Sequence, residues 1–360
     1  RPGGILPLPS MPPPRHAPSL LLALCGMAAA PLVAQAGPPA APRATATPPS
    51  APTTPHRLGV FVWHDSPNDL ATLDGLRAGL AAAALPHELL LRQANGDEIL
   101  ASRQLAELRA AGCALVFALG TQAARLARRE ITDRPVVFAA VTNPVAAGLV
   151  PTWLGTEGNL CGASNWIEPR TVLAVFRLAV PNLRRLGMLR SEKDDLVSRA
   201  ELAAMRHLLA QPGAPAIELF DATIPHSDQV EPAVRELLAR GADAIWVPID
   251  LPVYQNLDTI RLVLGERKVP IVTTAAAALG RGALVGAVPD YVLHGRRTAG
   301  LALRILRDGT PTRELPVDRM SGCLVTVDLD AARRLDLELP LSLLVLADEI
   351  RVAEPADGRR

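Results

Sequence analysis

One stretch of the chain, residues 113–144, decides the fold: CALVFALGTQAARLARREITDRPVVFAAVTNP. Its two ends are short apolar runs, Cys113–Leu119 and Pro135–Val141, which are typical of buried strands. Between them a helix is predicted to open at Gly120-Thr121 and to end near Ile131. Short buried strands that alternate with helices indicate a parallel sheet with both faces covered. The stretch therefore predicts an α/β protein.

The same alternation continues on both sides of this stretch. Before it, the sequence predicts strands at Leu58–Trp63 and Glu88–Leu91, and helices around Leu73–Leu80 and at Asp97–Ala111. After Gly162 it restarts, with predicted helices Glu168–Val180 and Tyr254–Glu266 and strands Leu186–Leu189, Ala216–Phe220, Ala244–Val247 and Val269–Thr273. A series that stops and begins again favours two doubly wound parallel-sheet lobes. One closed eight-stranded barrel is the alternative, and the irregular stretch from Pro151 to Ser164 disfavours it.

Length and composition exclude several classes of protein. A chain of 360 residues favours two domains, and 49% hydrophobic against 20% charged residues supplies apolar side chains for buried cores. A formal net charge of +1 offers no electrostatic reason to expect nucleic acid or an anionic membrane as partner. Four cysteines without a CxxC spacing disfavour a disulfide scaffold and a Cys-rich zinc site.

The amino-terminal region is typical of a secretory signal. Residues 1–10 precede the first methionine, Met11, and an apolar run from Leu20 to Ala30 is followed by small residues that predict cleavage after Ala36. The run is too short to span a bilayer, so we expect a periplasmic protein. A lipid anchor at Cys25 is the alternative. We expect residues 37–56 to be a proline-rich disordered linker and residues 351–360 to be a disordered tail.

No catalytic motif is present. The sequence lacks a GxGxxG after a strand, a Walker loop, a GxSxG elbow and an HExxH. No histidine pairs with a carboxylate or a cysteine at ligand spacing, and none lies close in sequence to Cys161 to activate it. We therefore expect a protein that is not an enzyme and that carries neither cofactor nor metal.

In open α/β sheets, ligands bind beyond the carboxyl ends of the strands, where helix N-termini present free N–H groups. The candidate ligand-binding residues are those that follow the predicted strands, with one aromatic residue near a predicted lobe crossing. They are Asp65, Ser66, Gly120, Thr121, Gln122, Thr142 and Asn143 in the first series, Arg190, Ser191, Asp250 and Thr274 in the second, and Tyr291.

Several of these candidates have a structural alternative. Gly120 lets a ligand approach the backbone and the Thr121 hydroxyl suits a carboxylate, but Thr121 could instead cap its helix. Asn143 before Pro144 is also a good helix cap. Asp250 could hold a ligand ammonium or cap the helix that follows it.

A set of ordered motifs resembles one bacterial family. The motifs are Gly120-Thr121-Gln122-Ala123-Ala124, Arg134–Phe138, Asn143–Val150, Gly158–Ser164, Asp243–Asp250, Gly282-Ala283-Leu284, Asp290-Tyr291 with His294-Gly295-Arg296, and Ala331–Leu335. Together they resemble the ABC-transporter substrate-binding proteins of the tryptophan/tyrosine-binding-like group over about residues 57–350. That family has the type I periplasmic-binding fold, in which three crossing strands form a hinge between two lobes.

The resemblance implies a solute receptor of an import system. Two lobes would close over an amino acid or a small organic anion, and an ABC permease in the inner membrane would recognise the closed form. It implies a monomer with lobe 1 at 57–162 plus 289–323 and lobe 2 at 163–288 plus 324–350, with crossings near 159–164, 283–289 and 324–328. A secreted ligand sensor for a signalling receptor and a periplasmic α/β enzyme are the alternatives.

The sequence departs from the family pattern at three places. Asn143 stands where the family usually has Asp, Cys161 where it often has Thr, and Arg190-Ser191 where a Tyr-Asn pair is typical. An acid lost and an arginine gained would make the pocket less favourable for an ammonium and more favourable for an anion. Aromatic amino acid specificity is therefore not carried over. Asp250 matches the family position that faces the cleft, which makes it the best candidate for an amine group.

Overall fold

A computed structural model describes residues 55–155, 158–192, 196–226 and 229–352. The expected signal peptide, all but the end of the expected linker, and most of the expected carboxyl-terminal tail lie outside the described residues. Within them, every helix is too short or too polar to cross a bilayer.

The described chain alternates strands and helices throughout. In chain order the strands are β1 (His56–Val62), β2 (His87–Gln93), β3 (Leu115–Leu119), β4 (Val136–Val141), β5 (Leu160–Ser164), β6 (Arg185–Ser191), β7 (Glu218–Ile224), β8 (Ala244–Val247), β9 (Ile271–Thr273), β10 (Ala283–Val288), β11 (Asp318–Arg319), β12 (Leu324–Asp328) and β13 (Glu349–Arg351). The α-helices are α1 (Pro67–Ala82), α2 (Glu98–Ala110), α3 (Thr121–Glu130), α4 (Pro169–Ala179), α5 (Leu196–Leu209), α6 (Val230–Ala239), α7 (Leu251–Gln255), α8 (Leu257–Leu264), α9 (Tyr291–Leu306), α10 (Leu329–Leu335) and α11 (Leu341–Leu346).

These strands form two sheets, one in each lobe. The first has the order β11-β5-β4-β3-β1-β2 and the second the order β13-β12-β10-β9-β8-β6-β7. Both sheets are wound on both faces: α1 and α9 cover one face of the first sheet, while α2 and α3 cover the other. In the second sheet α4, α5, α10 and α11 share one core, and α6 and α8 pack on the opposite face. The predicted fold class, two doubly wound lobes, is confirmed.

One pair departs from the expected parallel arrangement, because β12 runs antiparallel to β10. The reason is the route of the chain. It leaves the second sheet at the carboxyl end of β10, adds α9 and β11 to the first lobe, and returns at that same end. β12 therefore begins at the end of the sheet where β10 finishes, and the two strands run in opposite directions. Three connections, residues 165–168, 289–290 and 320–323, thus join the lobes.

Some predicted boundaries differ from the observed ones. β5 extends to Ser164, two residues beyond the expected end of the first segment of lobe 1, because Ala163 and Ser164 pair with β11. His56 belongs to β1 and Arg351 to β13, not to the linker or the tail. The expected helix Tyr254–Glu266 is broken at Asn256. The side-chain Nδ2 of Asn256 donates to the Pro252 carbonyl at 2.8 Å.

Glycines let α9 pack directly on the backbone of α1. A Cβ at Gly295 would lie 2.0 Å from the Thr72 carbonyl oxygen, and one at Gly75 would lie 2.0 Å from the Val292 carbonyl oxygen. Such distances are far inside van der Waals contact, so only glycine permits this approach. The contact fixes α9, and with it Tyr291, to the first lobe.

We therefore predict that Gly295→Ala lowers the free energy of unfolding by about 2 kcal/mol or more, because the helices must separate to admit the methyl group. Gly300→Ala in the same helix is the control, since nothing lies within 4 Å of its Cβ position. The control should be neutral or stabilising by up to about 1 kcal/mol. Urea denaturation measures both variants, and equal effects would contradict the packing argument.

Candidate functional site

Asp250 follows β8 and lies at the carboxyl end of the second sheet, with 3% of its surface exposed. Its Oδ2 accepts hydrogen bonds from the Ser191 backbone N–H at 2.8 Å, the Ser191 hydroxyl at 3.0 Å and the Ser198 hydroxyl at 2.9 Å. Its Oδ1 has no hydrogen-bond partner among the described residues, and its side chain does not cap α7. Burial raises the pKa of Asp250, and the serine hydrogen bonds and the Val253 backbone N–H oppose this rise.

A second carboxyl group, Glu201, lies beside Asp250. Its Oε2 accepts from the Ile249 backbone N–H at 3.3 Å, and it shares a hydrogen bond with Thr274. Trp246 Nε1 donates to the Thr274 hydroxyl at 3.3 Å, which fixes that hydroxyl in turn. Burial, with the nearby Asp250 charge, raises the pKa of Glu201 to about 8, so the group is mostly protonated at neutral pH.

Sequence reasoning missed Glu201, although a signal was available. Ser198, Glu201, Met205 and Leu208 are spaced at helical intervals on the buried stripe of α5. A glutamate on an apolar stripe is a buried acid, and buried acids need either a partner or a proton.

We predict that Glu201→Gln changes how stability depends on pH. Between about 4.5 and about 8 the unfolded chain ionises Glu201 while the folded chain keeps its proton, so the folded state loses stability as pH rises. The slope attributable to this group is at most about 1.4 kcal/mol per pH unit. Urea denaturation at a series of pH values should show the wild type declining relative to the glutamine variant. Parallel profiles would show that Glu201 is ionised in the fold.

At the carboxyl edge of the first sheet, Ser66 and Asp69 form a helix cap. The Ser66 hydroxyl donates to Asp69 Oδ2 at 2.7 Å and accepts from the Asp69 backbone N–H at 3.1 Å. Burial raises the pKa of Asp69. Gly120, with φ of 90°, brings its backbone beside this carboxylate: a Cβ there would lie 3.6 Å from Asp69 Oδ1.

The amino terminus of α3 is open. Gly120 is its cap residue and Thr121 its first helical residue, so the alternative in which Thr121 caps the helix is wrong. No described side chain accepts a hydrogen bond from the first turn. The free N–H groups and the half-buried Thr121 hydroxyl can therefore receive an anionic group.

Asn165, in the first connection between the lobes, ties two predicted site residues together. Its Nδ2 donates to the Thr142 hydroxyl and to the Tyr291 hydroxyl, each at 3.3 Å. All three side chains are buried. The Asn165 Oδ1 is a second buried acceptor that lacks a hydrogen bond within the described part of the chain. Sequence reasoning missed Asn165, because nothing in its neighbours shows that this passage between the lobes is buried beside Thr142 and Tyr291.

A buried histidine supports the strand that leads to Thr142. His294 Nε2 accepts from the Ala140 backbone N–H at 2.9 Å, where β4 bulges and Ala140 takes a φ of 54°. Burial lowers the pKa of His294 to about 4, so the ring is neutral and can accept this bond.

Acidic groups from both lobes act on the two tyrosines of the chain. Tyr254, in α7 of the second lobe, has its pKa raised by burial and by the charges of Asp250 and Asp69. The pKa of Tyr291 is raised by burial and by Asp69, Tyr254 and Glu201. These interactions require Asp69 of the first lobe to lie near the edge that carries Asp250. The chain's two tyrosines thus both lie within electrostatic range of Asp69.

The structure places Arg190 away from Asp250. Neighbouring strand residues point to opposite faces, so Ser191 points to Asp250 while Arg190 pairs with Asp221 at 2.7 Å. Asp221 also accepts from Arg206 at 2.6 Å. Burial opposes ionisation of Asp221, but the two arginines outweigh it and lower the pKa of this carboxyl. The expectation that Arg190 would favour an anion in the pocket is therefore not supported.

Three other predicted residues make surface or local contacts. Asp65 is exposed. Gln122 is exposed and accepts from Arg125 at 3.3 Å. Asn143 Oδ1 accepts from the Ala146 backbone N–H at 3.0 Å, which caps a turn and not a helix. Among the residues that the structure describes, no group of three or more His, Cys, Asp or Glu side chains could hold a metal ion.

Comparisons with known proteins agree with this architecture. The profile of a family described as ABC transporter substrate binding protein matches residues 57–351. A tyrosine-binding protein from Clostridioides difficile is 24% identical over 224 residues, 62% of this chain and 63% of that protein. The chain thus spans less than two thirds of the length of this curated relative.

Solved structures show the same fold. An ABC domain in complex with L-Trp from Streptococcus pneumoniae has a TM-score of 0.70 and 24% identity. A ligand-free, open substrate-binding protein with adhesive properties from Clostridium difficile has a TM-score of 0.72 and 21% identity. Each similarity covers 83% of this chain and 100% of the other.

Proposed function

Because this chain belongs to the family of ABC transporter substrate-binding proteins, we propose that it binds an amino acid between its lobes and delivers it to an ABC permease. The observation that carries this proposal is the carboxylate of Asp250. It is buried and held by two serines, and its Oδ1 has no hydrogen-bond partner among the described residues.

An unsatisfied buried acceptor costs free energy, and a ligand donor that reaches it recovers that cost. Asn165 Oδ1 is a second such acceptor. Two acceptors favour a ligand group that is rich in donors, and the Asp250 carboxylate favours a positive charge. A primary ammonium has three N–H donors and one positive charge. It fits this edge better than an anion does.

The opposite end of the ligand is assigned to the amino terminus of α3. Its free N–H groups, its helix dipole and the Thr121 hydroxyl favour a carboxylate. An ammonium and a carboxylate in one small solute define an amino acid. The relatives with a tyrosine-binding name and with bound L-Trp support the same class.

Such a ligand would couple the lobes. It would touch Thr121 in the first lobe and Asp250 in the second at once only when the cleft is closed. Only differential affinity for the closed state shifts the equilibrium between open and closed forms. The proposed role is therefore capture and presentation, without a chemical step on the solute.

The proposed location is the periplasm and the proposed partner is a permease of the inner membrane. The secretory pattern that ends at Ala36 supports the location, and family membership supports the partner. A secreted sensor would use the same closure, and a pull-down of a receptor kinase in place of a permease would favour that role.

We predict that Asp250→Asn weakens binding of the ligand by about tenfold to a thousandfold, the range expected when a charge-assisted buried hydrogen bond is lost. A thermal-shift screen of the twenty amino acids, with their decarboxylated amines and deaminated acids, identifies the ligand. Titration calorimetry then compares the wild type with the variant.

Asp258→Asn is the matched control, because this carboxylate lies on α8 of the same lobe with 79% of its side chain exposed. It should bind like the wild type. Unchanged affinity in Asp250→Asn, or preference for the deaminated acids, would contradict the ammonium assignment. Turnover of a bound solute would favour an enzyme.

A further inference from the structure

The second sheet ends in a short strand with an open edge. Within the described residues β13 pairs with β12 and has no strand on its other side. Open edges carry unpaired backbone groups, and proteins commonly protect them. Here the helix that precedes the strand, α11, adds exposed apolar side chains instead: Leu341 is 73% exposed and Val345 77% exposed, and Leu346 is half exposed.

The apolar side chains lie on one face of the sheet. Ile350 is in register with Val327, and paired residues of parallel strands point to the same face. Val327 packs in the core that α4, α10 and α11 share, so Ile350 points to the side of the sheet where α11 lies. Ile350 is itself exposed. Exposed apolar residues of α11 and the Ile350 side chain thus share one side of the edge.

The charges lie on the other face. Glu349 and Arg351 flank Ile350 and point away from α11, and within the chain Arg351 Nε donates to Glu349 Oε1 at 3.0 Å. An antiparallel copy of β13 placed against this edge, with Ile350 opposite Ile350, puts Glu349 of each strand opposite Arg351 of the other. The edge is therefore complementary to itself in charge.

We propose that two copies of this chain associate through β13, so that the two second sheets form one continuous sheet. A two-fold axis perpendicular to the sheet keeps each face on its own side. Both α11 helices then lie on one face beside the junction, where Val345 and Leu346 can be buried. Two pairs of Glu349 with Arg351 form on the opposite face. This association is independent of the ligand site and replaces the monomer expected from the sequence.

A second copy is a better occupant than another protein, because the same edge supplies both partners of every contact. The strand has three residues, so the strand pairing is small and the apolar contact of α11 must contribute most of the affinity. Such an interface gives a dimer that dissociates on dilution.

Charge exchange at the edge tests the proposal. We expect sedimentation velocity on the full chain to show a monomer–dimer equilibrium, with dimerisation weakened about tenfold or more in Glu349→Arg and in Arg351→Glu, each of which places like charges across the junction. A mixture of the two variants should form a heterodimer. Positions 349 and 351 would then both be positive in one copy and both negative in the other, so that each pair across the junction has opposite charges again.

Val345→Arg tests the apolar contact, and Leu262→Arg on α8 is its control, since Leu262 is 81% exposed on the opposite side of the sheet. We expect only the first to reduce dimerisation, and thermal unfolding verifies that both variants fold. A wild-type chain that stays monomeric up to about 1 mM would overturn the proposal, because the dissociation constant would then lie above the millimolar range. A dimer that all of these variants leave unchanged would also overturn it.

Discussion

The hydrogen bonds that hold the Asp250 carboxylate organise the edge of the second lobe at which we propose that the ligand binds. One oxygen receives both the backbone and the hydroxyl of Ser191 and the hydroxyl of Ser198. These donors come from the end of β6 and the start of α5, so the carboxylate joins two elements to the strand that precedes it. The other oxygen lacks a described partner. The lobe thus keeps a desolvated acceptor in a fixed position, which lowers the cost of ordering on ligand binding.

Glu201 can lie beside the Asp250 carboxylate only because Glu201 keeps its proton. Two ionised carboxylates in one buried site repel each other strongly, and burial already disfavours charge. Glu201 accepts from the Ile249 backbone and contacts Thr274, and its raised pKa leaves the negative charge on Asp250. The edge therefore presents one buried charge and not two, which suits the single positive charge of an ammonium group.

The glycine contact between α1 and α9 positions the first-lobe residues that lie near the Asp250 edge of the second lobe. Because Gly75 and Gly295 let the two backbones touch, α9 belongs to the first lobe although the strand before it belongs to the second. Tyr291, at the start of α9, then meets Asn165 in another connection between lobes. One of the three connections thus carries a residue that is hydrogen-bonded to Tyr291, and a second connection ends directly before Tyr291. A change in the angle between the lobes would therefore act directly on the proposed ligand site.

The fold class and the sheet edges proposed for the ligand could be predicted from the sequence, since short apolar runs, helical stripes and the residues after each strand are local patterns. Ser191, Asp250 and Thr274 were predicted as residues that follow strands, and Tyr291 as an aromatic residue near a lobe crossing. The direction of Arg190, away from Asp250 and towards Asp221, could be read only from the folded chain, because the face that a strand residue occupies depends on the sheet around it. The folded chain also brought in Asp69, Asn165 and Glu201, whose roles arise from burial and from partners distant in sequence. Local patterns predict elements, whereas desolvation and long-range contacts decide which polar groups are left for a ligand.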